Sequence, residues 1–311
     1  MRNFLEAFRR FAAPPSWDAS FTPMILGFTC AFTIGGAKLT PSCLWWMFAA
    51  FIAIALVETG KHALNEIMDF RSGDDCLVDA EHRTPFSGGK KVLPQGLITE
   101  TQAFGIAVVT MGIACVVGVA IAFWLNWIIL PIGIVGMGVA VLYNAPQTRL
   151  IYRGWGEPCI FIAYGPVCAM GAYYMFAEAF SWIPLLVSFS LGLLIVNVLI
   201  INEFPDYEAD KAAGKRNWIV RLGKYDGLRL YALLYVLHFV PYIVLMFVTK
   251  SPLWVLTFAT LPMFLDVMRN YKRNMDNVPA VMRSNADTIT IHMRSGLLAD
   301  AVVLMLWLMT L

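Results

Sequence analysis

The feature that most constrains this chain is a set of long apolar runs that end abruptly in dense polar sequence. Trp182 to Ile201 is one such run, and Leu44 to Val57 is another. An apolar run of roughly 20 residues matches the thickness of a bilayer's hydrocarbon core crossed by an α-helix. A backbone surrounded by lipid must satisfy its own hydrogen bonds, which favours helices there. Composition agrees: of 311 residues 59% are hydrophobic and 14% charged, with mean hydropathy +0.66. That is too apolar for a soluble domain of this length. The net charge of +2 gives no sign of a nucleic-acid partner.

The pattern predicts an all-α polytopic membrane protein, a single domain over 1–311 with nine spans. These fall near 20–38, 43–68, 100–123, 126–144, 156–177, 181–202, 228–249, 252–270 and 288–309. Residues 1–19 contain Phe4, Leu5, Phe8 and Phe11 with Arg2, Arg9 and Arg10. They read as a cytoplasmic or interfacial segment and lack the apolar core of a cleavable signal peptide. With the N-terminus in the cytoplasm, every lysine and arginine except Lys38 and Lys250 falls on the cytoplasmic side. This asymmetry is the positive-inside signature and sets the expected orientation, in a bacterial or archaeal inner membrane. Six cysteines without CxxC spacing suggest neither a disulfide frame nor a zinc site.

The polar stretch after Ile201 reads Asn202-Glu-Phe-Pro-Asp206-Tyr-Glu-Ala-Asp210-Lys211-Ala-Ala-Gly-Lys215-Arg216. Asn202, Asp206 and Asp210 are spaced by four, so a continuous helix would carry them on one face, although Pro205 disfavours continuity. Carboxylate oxygens suit a hard divalent cation, and the neighbouring lysines suit phosphate. A solvated helix end with ordinary charge pairs is the competing explanation for one such stretch. The other run is followed by a second copy, Asn65-Glu-Ile-Met-Asp69-Phe-Arg-Ser-Gly-Asp74-Asp75, with Lys61 one turn before Asn65. Recurrence at equivalent ends of two spans favours a site assembled from both, and hints at internal duplication. A charge at the bilayer centre costs roughly 2.5–3.5 kcal/mol on insertion scales, so the clusters belong at the cytoplasmic mouth of a cavity.

Both stretches resemble the two aspartate-rich motifs of the UbiA superfamily of intramembrane prenyltransferases, and the resemblance extends along nearly the whole chain. It implies a helical bundle around a central cavity open to the cytoplasmic side. It also implies Mg²⁺ held by Asp69, Asp75, Asp206 and Asp210, with Asn65 and Asn202 completing the catalytic set. Glu66 stands where many relatives have Asp and is a lesser candidate, as is Asp74. The segment His82 to Gly96, with Arg83, Gly88, Gly89, Lys90 and Lys91, suits either phosphate wrapping or attraction to anionic lipid. Relatives carry a similar segment, which favours a lid near the diphosphate. Tyr152-Arg153-Gly-Trp-Gly-Glu157 followed by Tyr164-Gly-Pro166 resembles the 1,4-dihydroxy-2-naphthoate polyprenyltransferase branch. That match assigns Arg153 to the diphosphate together with Lys61, Arg83, Lys211 and Lys215. Glu157 is left as a structural or acceptor-orienting carboxylate.

The implied reaction is transfer of a polyprenyl group from its diphosphate to a hydroxylated aromatic acid in menaquinone biosynthesis. The same site also suits other acceptors (4-hydroxybenzoate, homogentisate or an ether lipid) or terpene cyclisation. A transporter is disfavoured, because transporters place their coupling groups near the midplane. Chain length of the donor and oligomeric state are not legible.

Overall fold

The computed structural model describes residues 2–13, 16–73 and 90–310, and these are helical with short connections. Helix α1 (Arg2–Ala12) is followed by α2 (Asp18–Thr33) and by the long α3 (Pro41–Ser72). The start of α3 is set by Thr40, whose hydroxyl accepts the Cys43 N–H, with Pro41 in the first turn; it ends at Gly73, at φ +79°. Helix α4 (Glu100–Trp124) opens with a reciprocal Thr99–Gln102 capping box and leads to α5 (Ile129–Asn144).

After a 3₁₀ turn at Leu150–Arg153 comes one rod in three parts: α6 (Gly156–Ile162), a π-helical turn at Ala163–Val167, and α7 (Cys168–Tyr174). Pro166 lies inside that π turn. It has no N–H for the ladder and crowds the preceding turn, which accounts for the wider winding. The second half contains α8 (Trp182–Glu203), α9 (Tyr207–Ala212), α10 (Trp218–Leu222), α11 (Lys224–Leu237) and α12 (Phe239–Val248). A 3₁₀ stretch, Pro252–Thr260, then runs into α13 (Leu261–Asn274), and α14 (Val278–Leu308) closes the chain.

Among the described residues five helical stretches are long and apolar enough to cross a membrane: α3, α4, α8, α11 continued into α12, and α14. The chain is an integral membrane protein. The other expected spans correspond to shorter pieces: α2, α5, the bulged α6–α7 rod, and the 3₁₀ stretch joined to α13. Helix association in lipid lacks a hydrophobic drive and relies on close packing of small residues. A Cβ on Gly27 of α2 would lie 2.2 Å from the Ala169 carbonyl oxygen of α7, so only glycine permits that crossing. Gly60 of α3 plays the same part against α4, where Met111 and Thr110 would be met at 2.6 and 2.9 Å.

Helix α1 keeps Phe4, Leu5 and Phe8 exposed and buries Ala7 and Phe11 against α3, α4 and the Val92–Leu93 turn. Arg10 donates to Gln95 Oε1 at 2.8 Å, and His62 Nδ1 lies 2.9 Å from the Phe11 carbonyl oxygen. Those contacts pin α1 across the motif-bearing end of α3, with its apolar residues outward as an interfacial helix requires.

Candidate functional site

The last two turns of α3 bring Asn65 and Asp69 onto one face. Asn65 Nδ2 donates to Asp69 Oδ2 at 2.5 Å. Tyr152, from the 3₁₀ turn before α6, donates to Asp69 Oδ1 at 3.1 Å and shares a hydrogen bond with Ser72 at 2.7 Å. Lys215 arrives from the second motif. Its ammonium stands 3.4 Å from Asp69 Oδ1 and 3.2 Å from Asp210 Oδ1, and 5.3 Å from the centre of the Tyr152 ring. One buried cation therefore ties the two aspartate stretches together. Asp210 is oriented by Asn217 Nδ2 at 2.7 Å, while Asn217 Oδ1 caps α10 through the Val220 N–H.

Backbone geometry explains how Lys215 reaches back. Helix α8 stops at Glu203, Pro205 interrupts the ladder, and α9 restarts at Tyr207. Gly214 then adopts φ +77°, and the Lys215 N–H bonds the Asp210 carbonyl at 2.8 Å. This left-handed glycine closes α9 and turns Lys215 inward. The Arg216 N–H meets the Tyr152 carbonyl at 2.9 Å, which registers the second motif on the turn before α6.

The structure separates the expected site residues. Asp69, Asp210 and Lys215 meet directly, Asn65 holds Asp69, and Asp206 occupies the position just before α9, one turn before Asp210. Asn202 faces elsewhere: Asn285 of α14 donates to its Oδ1 at 3.0 Å and to the Ile201 carbonyl at 3.1 Å. Arg153 and Lys211 are exposed; Arg153 Nη2 reaches the Gln147 carbonyl at 3.5 Å, and Lys211 lies over the Tyr207 ring. Asp74, Asp75, His82, Arg83, Gly88 and Gly89 lie outside the described residues. Lys61 is not among the residues that meet at Asp69; it lies two turns back along α3, 2.7 Å from Glu58 and hydrogen-bonded to the Tyr164 hydroxyl.

Glu66 has a structural role. Its buried carboxylate accepts the N–H groups of Lys90, Val92 and Leu93 at 3.0, 2.5 and 3.1 Å, fastening the end of the Gly-rich segment to α3. That places Lys90 beside the motif. Burial first, and then the charge of Lys61, hold the Lys90 ammonium below the ordinary lysine pKa. Glu157, fully buried, accepts the Trp218 N–H and joins α6 to α10.

A cavity of about 470 Å³ is bounded by α2, α3, α4, α5 and the α6–α7 rod, and its wall on α3 reaches as far as Lys61, two turns before Asp69. Its walls are almost wholly apolar, and its polar lining comes chiefly from Ser20, Glu58, Lys61, Tyr143 and Tyr164. Tyr152, Asn217 and Glu58 escaped the sequence reading. Tyr152 sits beside the more conspicuous Arg153, and Asn217 reads as an ordinary helix cap. Glu58 is the first charged residue after the apolar run Leu44 to Val57, which was itself a signal.

The donor set suits a divalent cation. Asp69 and Asp210 present hard oxygen atoms to one positive charge, with Asp206 a turn away. Among the described residues no three His, Cys, Asp or Glu side chains form a closed metal cage, and Asp75 lies outside them.

Comparison with known proteins identifies the family. Residues 22–286 match the model of the UbiA prenyltransferase family. The chain is 29% identical over 242 residues to a 1,4-dihydroxy-2-naphthoate octaprenyltransferase of Mycobacterium leprae, covering 77% of each protein. It is 26% identical over 292 residues to a 2-carboxy-1,4-naphthoquinone phytyltransferase of Synechocystis, covering 93% of this chain and 90% of that protein. In fold it resembles a UbiA homolog from Archaeoglobus fulgidus bound to DMAPP and Mg²⁺, with a TM-score of 0.65 at 15% identity. That match covers 94% of this chain and 99% of the other.

Proposed function

Since this chain belongs to the UbiA prenyltransferase family, we propose that it moves a polyprenyl group from a prenyl diphosphate onto a hydroxylated aromatic acid. The acid is 1,4-dihydroxy-2-naphthoate, with loss of CO₂, as a step of menaquinone biosynthesis. Relatives named for dihydroxynaphthoate prenylation along most of their length support that acceptor. The observation that carries the reading is the joining of two aspartate stretches through Lys215, two turns of α3 beyond Lys61 on the wall of an apolar cavity.

In this reading the diphosphate lies at the Asp69–Asp210–Lys215 cluster, and the polyprenyl tail follows the apolar cavity. Asp69, Asp75, Asp206 and Asp210 would hold Mg²⁺, which when bound would neutralise the diphosphate as it leaves. Lys215, relayed between Asp69 and Asp210, turns to the phosphate oxygens, and Arg153, Arg83 and Lys211 add positive charge around it. As the bond from the allylic carbon to oxygen breaks, the water-poor cavity and the faces of Tyr143 and Tyr164 shelter the positive charge left on the tail. The electron-rich ring attacks that carbon, and loss of CO₂ and a proton restores the aromatic quinol. The bundle crosses the membrane nine times, with the cluster and the N-terminus on the cytoplasmic side of a bacterial or archaeal membrane.

The test is purified protein in lipid with a prenyl diphosphate, Mg²⁺ and a panel of acceptors, read by mass detection of products. Prenylated, decarboxylated naphthoquinol is the expected product. Diphosphate release with no aromatic acid consumed would refute the reading and point to cyclisation or another acceptor.

A further inference from the structure

The pair formed by Glu58 and Lys61 is not explained by stability. The two side chains lie on adjacent turns of α3, 2.7 Å apart, inside a membrane-spanning helix and on the wall of the cavity. An ion pair at that spacing stabilises a helix by roughly 0.2–0.5 kcal/mol. Removing two charges from water costs several kcal/mol per ion, about an order of magnitude more. The arrangement therefore calls for a use other than holding α3 together.

Three observations indicate the use. Glu58 and Lys61 both line the cavity, and Lys61 keeps 17% of its side chain exposed against 6% for Glu58. The third member, Tyr164, is brought in by the π-helical turn around Pro166. That turn packs so tightly on α8 that a Cβ at Gly165 would meet the Ser188 carbonyl oxygen at 2.7 Å, so the tyrosine is held where it is. Insertions of this kind recur at functional sites because they redirect a side chain out of the regular helical row. Finally, Lys61 stands eight residues before Asp69, about 12 Å of helix rise, which leaves room for an aromatic ring between Lys61 and a diphosphate at Asp69.

We propose that Glu58, Lys61 and Tyr164 form the subsite for the aromatic acid. Lys61 takes the carboxylate, Glu58 accepts a hydrogen bond from a ring hydroxyl, and Tyr164 keeps Lys61 aimed into the cavity. This inference deepens the proposed function and rests on it. It moves Lys61 from the diphosphate, where its proximity to the first motif in sequence had put it, to the acceptor. In the absence of acid the two opposite charges satisfy each other. When the acid binds, its carboxylate and hydroxyl replace that contact with one charge-assisted bond to each partner. The hydrogen bond to Glu58 also raises the electron density of the ring that must attack. An acceptor without a carboxylate leaves Lys61 to Glu58 and binds more weakly, so the pair selects for acids.

The test compares wild type with Lys61→Gln, Lys61→Arg and Glu58→Gln in lipid nanodiscs, measuring KM separately for prenyl diphosphate and for dihydroxynaphthoate. Lys61→Gln is expected to raise the acid's KM by about 10- to 100-fold, the range of a lost charge-assisted bond, and to leave the donor's KM in place. Lys61→Arg should recover most of the loss. With naphthalene-1,4-diol, which lacks the carboxylate, wild type and Lys61→Gln should differ little. Because Lys61→Gln strands a buried carboxylate, the double variant Glu58→Gln/Lys61→Gln, neutral at both positions, serves if the single variant misfolds, with the same acid-specific rise expected. A rise in the donor's KM with the acid's unchanged would overturn the assignment and return Lys61 to the diphosphate. No change in either KM would mark the pair as structural and overturn it equally. Failure of wild type to prenylate any aromatic acid would bring down the functional reading as well, and is distinguishable because it precedes any comparison of variants.

Discussion

The two aspartate stretches share a spacing and differ in backbone. In the first, Asn65 to Asp69 belongs to an uninterrupted helix, so the asparagine and aspartate bond directly, one turn apart. In the second, Pro205 stands where the first has Met68, the helix stops at Glu203, and Asn202 is taken by Asn285 of α14. The next residue diverges as well: Glu66 binds the backbone of the segment that follows its motif, whereas Glu203 is buried beside its own. The broken copy gains reach in exchange. A stop at Glu203, the restart at Tyr207 and the left-handed turn at Gly214 let Lys215 return to both Asp210 and Asp69. One spacing thus serves two backbone forms, one copy a continuous helix end and the other a broken one whose Lys215 reaches across to it.

The largest expected effect comes from removing a carboxylate from either copy. Asp69→Ala and Asp206→Ala should each reduce turnover by roughly a hundredfold or more, within the range for losing a preorganised charge partner, while the purified protein stays folded. Near-normal activity in one variant would break the symmetry of function between the copies. Divalent metal tests both at once: turnover measured in excess chelator should fall to background and return with Mg²⁺ or Mn²⁺, and full turnover in chelator would count against a shared cation site.

Lys215→Met addresses the reach of the broken copy. Losing one partner of a buried ion pair costs about 3–5 kcal/mol, so thermal unfolding in chelator should shift down clearly, and added Mg²⁺ should restore part of the shift by neutralising the carboxylates. The same melting temperature with and without the substitution would mean that Lys215 does not join the copies. Converting the broken copy toward the continuous one is a finer probe. Pro205→Met should extend α8, displace Asp210 and Lys215, and lower turnover about tenfold, the order expected when a catalytic group is misplaced by a fraction of an ångström or more. Unchanged turnover would show that the break is incidental. The smallest change is expected for Arg153→Ala, since that side chain is exposed: donor KM should rise several-fold, within about 1 kcal/mol, with Lys restoring part of it. An effect confined to the acceptor would reassign Arg153.

Much of the fold was legible in the residues because membrane insertion leaves strong marks in composition. Apolar runs close to bilayer thickness identified α3, α4, α8, α11–α12 and α14, and caps at Thr40 and Thr99 set where two of them start. The pairing of Asn65–Asp69 with Asn202–Asp206–Asp210 was visible as a repeated spacing, since groups that share a helix face recur at helical intervals. Family resemblance, carried by those same residues, led to the reading that the match over residues 22–286 supports.

What the residues alone could not decide was which of the flagged side chains meet. Spacing placed Lys61 with Asp69 and Lys215 with Asp210. The packed helices pair Lys61 with Glu58 and Tyr164, and set Lys215 between Asp69 and Asp210. A helical period states which residues share a face. It does not state how far a proline break will turn the chain, or which partner a π-helical turn will present across a cavity. Those outcomes depend on contacts between residues far apart in sequence, such as Tyr152 with Asp69 and Asn285 with Asn202, so they exist only once the bundle is assembled.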